Sequence, residues 1–197
     1  MYCLQIGAMR SSVKKETRTT RSGALLASAL LAGLACGCSG PPPKVEAVGA
    51  STTYEAGGLD YHFDSLDARP VTSAAMRGKT TVLAFVTTFD LESQAEVDYL
   101  ATMAKNDGDQ VNYVVVALEP AGNRELVEAF RHFVDSKFGV SLVMAMGDET
   151  TIAGSGPFGD VHVVPEVVVL DKEGRIAWRR TGLSKNADIR AAMAHAR

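Results

Sequence analysis

The strongest nucleophiles in this chain are its three cysteines, and all of them fall near the beginning: Cys3, Cys36 and Cys38. Nothing after Cys38 can form an internal disulfide or run dithiol exchange, which needs an attacking and a resolving sulfur. Stability beyond that point must come from a hydrophobic core. The four histidines, His62, His132, His162 and His195, include no i, i+4 pair and no Cys/His cluster, so zinc-ligand spacing is absent. His162 lies close to Pro165, and Asp90 and Glu92 are the acids that a fold would have to bring to it. No metal and no cofactor are expected. The run Gly154-Ser-Gly-Pro-Phe-Gly159 lacks the Gly-Lys-Ser/Thr ending of a phosphate loop and reads as a flexible connector. No Gly-x-Ser-x-Gly elbow occurs. With a formal net charge of -3 and no basic face, nucleic acid is not expected as a partner.

The elements that must carry these residues divide the chain in three. Residues 1–38 begin with a basic stretch containing Arg10, Lys14, Lys15, Arg18 and Arg21, followed by an apolar run from Gly23 to Ala35. That run is shorter than the ~20 apolar residues a membrane-spanning helix needs, and the order of basic, apolar and small residues is that of a secretory signal. Its end, Cys36-Gly37-Cys38-Ser39, resembles a lipobox, in which a lipidated cysteine becomes the mature N-terminus. Either Cys38 or Cys36 fits that role, and either Met1 or Met9 fits the start. An ordinary cleaved signal with incidental cysteines is the plainer reading. Neither register puts Asp after the cysteine, which agrees with an outer-membrane as well as a cell-membrane destination. Residues 39–58 hold three consecutive prolines and then small residues, the composition of an extended tether.

From residue 59 to 197 the pattern alternates. Thr81–Val86, Asn112–Leu118, Ser141–Met146 and Glu166–Leu170 are short apolar runs suited to strands buried on both faces. Asp90–Lys105 has a helical pattern, with Leu91, Ala95, Val97, Leu100, Ala101 and Ala104 expected inward. So has Asn123–Phe138, with Leu126, Val127, Phe130, Phe133, Val134 and Phe138 expected inward and Gly139 as its stop. Asp171–Gly174 turns Glu166–Leu170 back into Arg175–Arg179 as a hairpin, and a last helix runs from Asn186 to about His195. Such an order predicts an α/β fold, a three-layer α/β/α sandwich whose mixed sheet begins parallel and ends antiparallel, with helices on both faces.

Three segments together resemble the thioredoxin superfamily, in particular its membrane-tethered TlpA-like and redoxin-like members. Tyr61 to Lys79 looks like the opening hairpin and Arg-Gly-Lys turn. Phe85-Val-Thr-Thr-Phe-Asp-Leu-Glu-Ser-Gln-Ala-Glu96 looks like the active-site stretch, and His162-Val-Val-Pro-Glu166 through Ala177 looks like the proline loop and final hairpin. The resemblance implies a thioredoxin-like sandwich over residues 59–195 and a cis bond before Pro165. It places the family's Cys-x-x-Cys pair on Asp90 and Ser93, which supply no thiolate and no disulfide. It also implies that Val164 offers backbone to an extended peptide.

Asp90, Glu92 and Ser93 are read in two ways. Asp and Ser favour helix starts, and acids there complement the helix dipole, so simple capping explains them. The other reading is a remodelled binding corner made of Asp90, Glu92, Ser93, Val164 and Pro165, with no catalytic residue. The expectation is therefore a redox-inactive binding module in the cell envelope, lipid-anchored with its domain facing the periplasm, that holds a peptide or protein partner. The alternative is an oxidoreductase-type enzyme that borrows a partner's cysteine or works without thiols.

Overall fold

The computed structural model describes residues 57–196. The signal, Cys36, Cys38 and most of the tether lie outside the described residues. A seven-stranded sheet has the order β2-β1-β5-β4-β3-β6-β7. Its strands are β1 (His62–Ser65), β2 (Val71–Thr72), β3 (Thr81–Val86), β4 (Asn112–Ala117), β5 (Val143–Met146), β6 (Glu166–Leu170) and β7 (Ile176–Thr181). The helices are α1 (Ser73–Met76), α2 (Leu91–Asp107), α3 (Arg124–Phe138), α4 (Glu149–Ile152) and α5 (Asn186–His195). β3, β4 and β5 are parallel, while β6 and β7 on one side and β1 on the other run antiparallel to their neighbours.

The central strands are buried along their whole length, and period-two alternation sends successive residues to opposite layers. Val82, Ala84 and Val86 of β3 join Val115, Val167 and Val169 in one core, which is closed by Val97 and Leu100 of α2, Val127 and Val134 of α3 and Ile189 of α5. Leu83 and Phe85 point the other way, into a layer with Tyr61, Phe63, Met76 and Phe158. The sandwich is thus unequal: the three long helices share one face, and the β1–β2 hairpin, α1 and the segment around Phe158 cover the other. The cause is topological. The crossovers β3→β4 and β4→β5 step the same way across the sheet, and two right-handed crossovers in one direction put both helices on one side.

Two side chains and one segment depart from the sequence expectation. Leu91 is 79% exposed, because it lies two residues before Ser93 and so about 200° around the helix from the buried stripe. Phe133 is 59% exposed, because Val134 takes the inward place and leaves its neighbour turned about 100° away. The 154–159 segment is not a loose connector. Gly159 N–H donates to Gly156 O at 2.8 Å, and Phe158 is fully buried among Tyr61, Phe63 and Phe85. Elsewhere local chemistry ends elements where expected. Gly139, with φ +63, closes α3 by donating to Asp135 O. Asp171 accepts the N–H groups of Glu173 and Arg175 to build the hairpin turn, in which Gly174 has φ +82.

Candidate functional site

Strand register brings three loops to one end of the sheet. Phe85 stands opposite Glu166, and Glu166 opposite Thr181. The segments 87–92, 163–165 and 182–184 therefore leave the sheet side by side, at the carboxyl ends of β3 and β4. Ligands of open α/β sheets settle at such strand ends. The Val164–Pro165 bond is cis, and Pro165 O accepts the Gly182 N–H at 2.7 Å.

Asp90 is the N-cap of α2 and accepts the Ser93 N–H at 2.7 Å; that bond, with the Ser93 hydroxyl, holds its carboxyl below the usual range. Ser93 is buried, and its Oγ accepts the Thr87 N–H at 3.3 Å. Glu92 is exposed in the first turn. Asp90 is thus half accessible at the outer position and Ser93 closed off beneath it. Val164 is half-buried and Pro165 buried in the neighbouring loop. All five residues singled out in the sequence stand at this end of the sheet. His162 pairs with Asp160 at 2.7 Å. Among the described residues no group of three or more His, Cys, Asp or Glu side chains is arranged to hold a metal.

Sequence reasoning missed what holds the loops: three buried glutamates, one beneath each. Glu119 Oε1 accepts the N–H and hydroxyl of Thr88, at 2.9 and 2.8 Å, and Oε2 takes the Asn123 amide at 2.9 Å. Burial pushes this carboxyl up, but those donors together bring it below its ordinary range. Glu166, directly after Pro165, pairs with Arg179 at 2.5 Å and accepts the Thr181 hydroxyl at 3.1 Å. Arg179 in turn donates to Phe158 O and Asp160 O, tying the segment before the proline to the sheet. Burial raises the Glu166 carboxyl despite Arg179. Glu96 is the third: Oε2 accepts the Ser184 N–H at 2.6 Å, and burial raises the group to about 7 against the pull of that N–H and Arg180.

The outer surface of the corner is apolar. Seven large hydrophobic side chains are exposed among the described residues, and four of them, Phe89, Leu91, Val163 and Leu183, sit on these three loops. Phe89 and Leu91 flank Asp90, Val163 precedes Val164 and Pro165, and Leu183 follows Gly182. Asp90 and Glu92 lie on the same first loop as Phe89 and Leu91, and Asp160 shortly before Val163.

No family model matches the chain, and no curated protein matches its sequence. Solved structures do. A DsbF homologue from Corynebacterium diphtheriae is 19% identical, over 72% of this chain and 89% of its own, with a TM-score of 0.58. A thio-disulfide isomerase from Thermus thermophilus is 20% identical over 73% and 97%, with a TM-score of 0.55. A secreted Mycobacterium tuberculosis disulfide oxidoreductase is 18% identical over 69% and 96%, with a TM-score of 0.53. At these identities the likeness establishes the thioredoxin-like fold of the described residues.

Proposed function

We propose that this chain is a redox-inactive, thioredoxin-like binding module of the cell envelope, which holds an extended peptide or protein segment against the corner formed by Asp90, Glu92, Ser93, Val164 and Pro165. The observation that carries this reading is the gathering of Phe89, Leu91, Val163 and Leu183 around a helix start that has no cysteine. Val164 lies in the loop whose backbone leads into β6, where an extended segment can pair by main-chain hydrogen bonds. Apolar side chains of the guest would pack on the four exposed residues, and the acids Asp90, Glu92 and Asp160 favour a guest with Lys or Arg nearby. Anchoring through Cys38 or Cys36 and the proline-rich tether fits such a role, as does the secreted nature of one structural relative. No helix of the described residues is long and apolar enough to cross a membrane.

The alternative is disulfide chemistry with a partner's cysteine, of the kind named for two of the structural relatives. The two Asp90 and Ser93 side chains argue against it, since neither provides an attacking nor a resolving sulfur. A photo-crosslinking side chain placed at Leu91 or Val163, in cells, should give one discrete adduct. The same probe at exposed Phe133 on α3 serves as control. Adducts at 133 but at neither 91 nor 163 would move the interface to the helical face and overturn the proposal.

A further inference from the structure

α2 buries an unusual stripe: Ser93, Glu96, Val97, Leu100 and Ala101 face inward, so a carboxylate stands where a helix packed on a sheet normally has hydrocarbon. Glu96 is wholly buried and touches the loop between β7 and α5 through one bond, from Ser184 N–H to Oε2. Its other oxygen, Oε1, has no partner, and the Oγ of the equally buried Ser184 has none either. Each of the two residues therefore keeps one buried oxygen unpaired beside the single hydrogen bond that joins them. Ser184 is the residue after Leu183, which belongs to the apolar surface, and Gly182 before it is bonded to Pro165 O. Any movement of Ser184 relative to α2 reaches both.

We propose that Glu96 is a positioning residue that latches the 182–184 loop onto α2, and that gain or loss of its proton switches the binding corner between a closed and a loosened form. The inference rests on the binding reading of this corner for its purpose, though not for its physics. As a neutral acid, Glu96 fits the dry contact, because Oε2 accepts the one N–H present and no charge is buried. As a carboxylate it needs several donors, and only that N–H is bonded to it. The cation acting on it is Arg180 of β7, already paired with Asp188 of α5 at 2.8 Å. Lys185, beside Ser184, is exposed, as is Glu92 one turn earlier on α2. The ionised form is accordingly relieved by drawing Ser184 apart and admitting water. Leu183 and the Gly182–Pro165 bond move with it.

The test is a pH titration of the full chain, labelled with 15N and 13C, from about pH 5 to about pH 9, with no ligand added. The Glu96 carboxyl carbon should titrate with a midpoint near 7. The Ser184 amide should follow the same midpoint and lose its protection from hydrogen exchange above it. In Glu96→Gln the side-chain carbonyl still accepts the Ser184 N–H, so that amide should stay protected and pH-independent throughout. A Ser184 amide that does not titrate in the unmodified protein overturns the proposal, and this holds even if the variant fails to fold. So does a titration that survives in Glu96→Gln, which would assign it to another group. Because no ligand is used, failure here leaves the crosslinking result standing, and the reverse is equally true.

Discussion

The aromatic layer under the sheet and the corner at its end are only a few residues apart in sequence, yet they are held by opposite means. Phe85 is in the aromatic layer and Thr88 in the corner. Tyr61, Phe63, Phe85 and Phe158 pack with ring centroids between 5.0 and 6.2 Å apart and are buried by hydrocarbon on every side. The loops at the corner have no such mass. Their outward side chains are exposed, so position comes from directional hydrogen bonds to Glu96, Glu119 and Glu166. Dispersion packing ignores pH, whereas bonds to buried carboxylates do not. The corner leaves Phe89, Leu91, Val163 and Leu183 outside, and its loops are fixed from beneath with acids.

The contrast makes ordered predictions, beginning with its non-titrating half. Phe85→Ala should cost about 4 kcal/mol of unfolding free energy by urea melts, with the same loss at acidic and neutral pH. A loss that varied strongly with pH would break the distinction. Next, stability should fall as pH rises from about 4.5 towards 7. Glu96 has a folded pKa raised from 4.5 to about 7, so the unfolded chain gives up the proton first and its contribution is lost through that window, on the order of 3 kcal/mol. Glu166 acts in the same direction. Glu96→Gln should flatten the slope. Asp90 and Glu119 are shifted the other way, and their contributions disappear only as pH falls below the ordinary carboxylate range. Glu119→Ala, which strands the Thr88 N–H, should cost about 2 kcal/mol and increase amide exchange in residues 87–90 while leaving Phe85 protected. The smallest effect is loss of the helix cap: Asp90→Ala should cost about 1 kcal/mol by thermal melts.

Much of the scaffold was legible because its signals are local. Thr81–Val86 and Glu166–Leu170 are apolar after their first residue, and both are fully buried strands with the expected bounds. Asp90 read as a helix cap and is one. The cis bond before Pro165 came through resemblance rather than through composition. The misplaced Leu91 and Phe133 show where periodicity loses resolution: one residue of phase separates the core from the solvent. The three glutamates were hidden for another reason. A Glu in a helical or strand-end pattern ordinarily marks the surface, and only tertiary contact shows otherwise. Weak signals existed, since Glu96 falls between Ser93 and Val97 on the inward stripe and Glu166 opens an all-apolar strand. The unequal distribution of helices between the faces required the strand order, which no local pattern contains.

The most direct measurement is disulfide reduction by the full chain carrying Cys3→Ser, Cys36→Ser and Cys38→Ser, beside the same chain with Asp90→Cys and Ser93→Cys added. Position 90 is half accessible and position 93 buried behind it, which gives an outer sulfur to attack and an inner one to resolve. If the fold kept its scaffold and lost its chemistry at these two positions, the cysteine-free chain is inert and the added pair reduces disulfides. Reduction by the cysteine-free chain itself, or silence from the folded double variant, would contradict that claim.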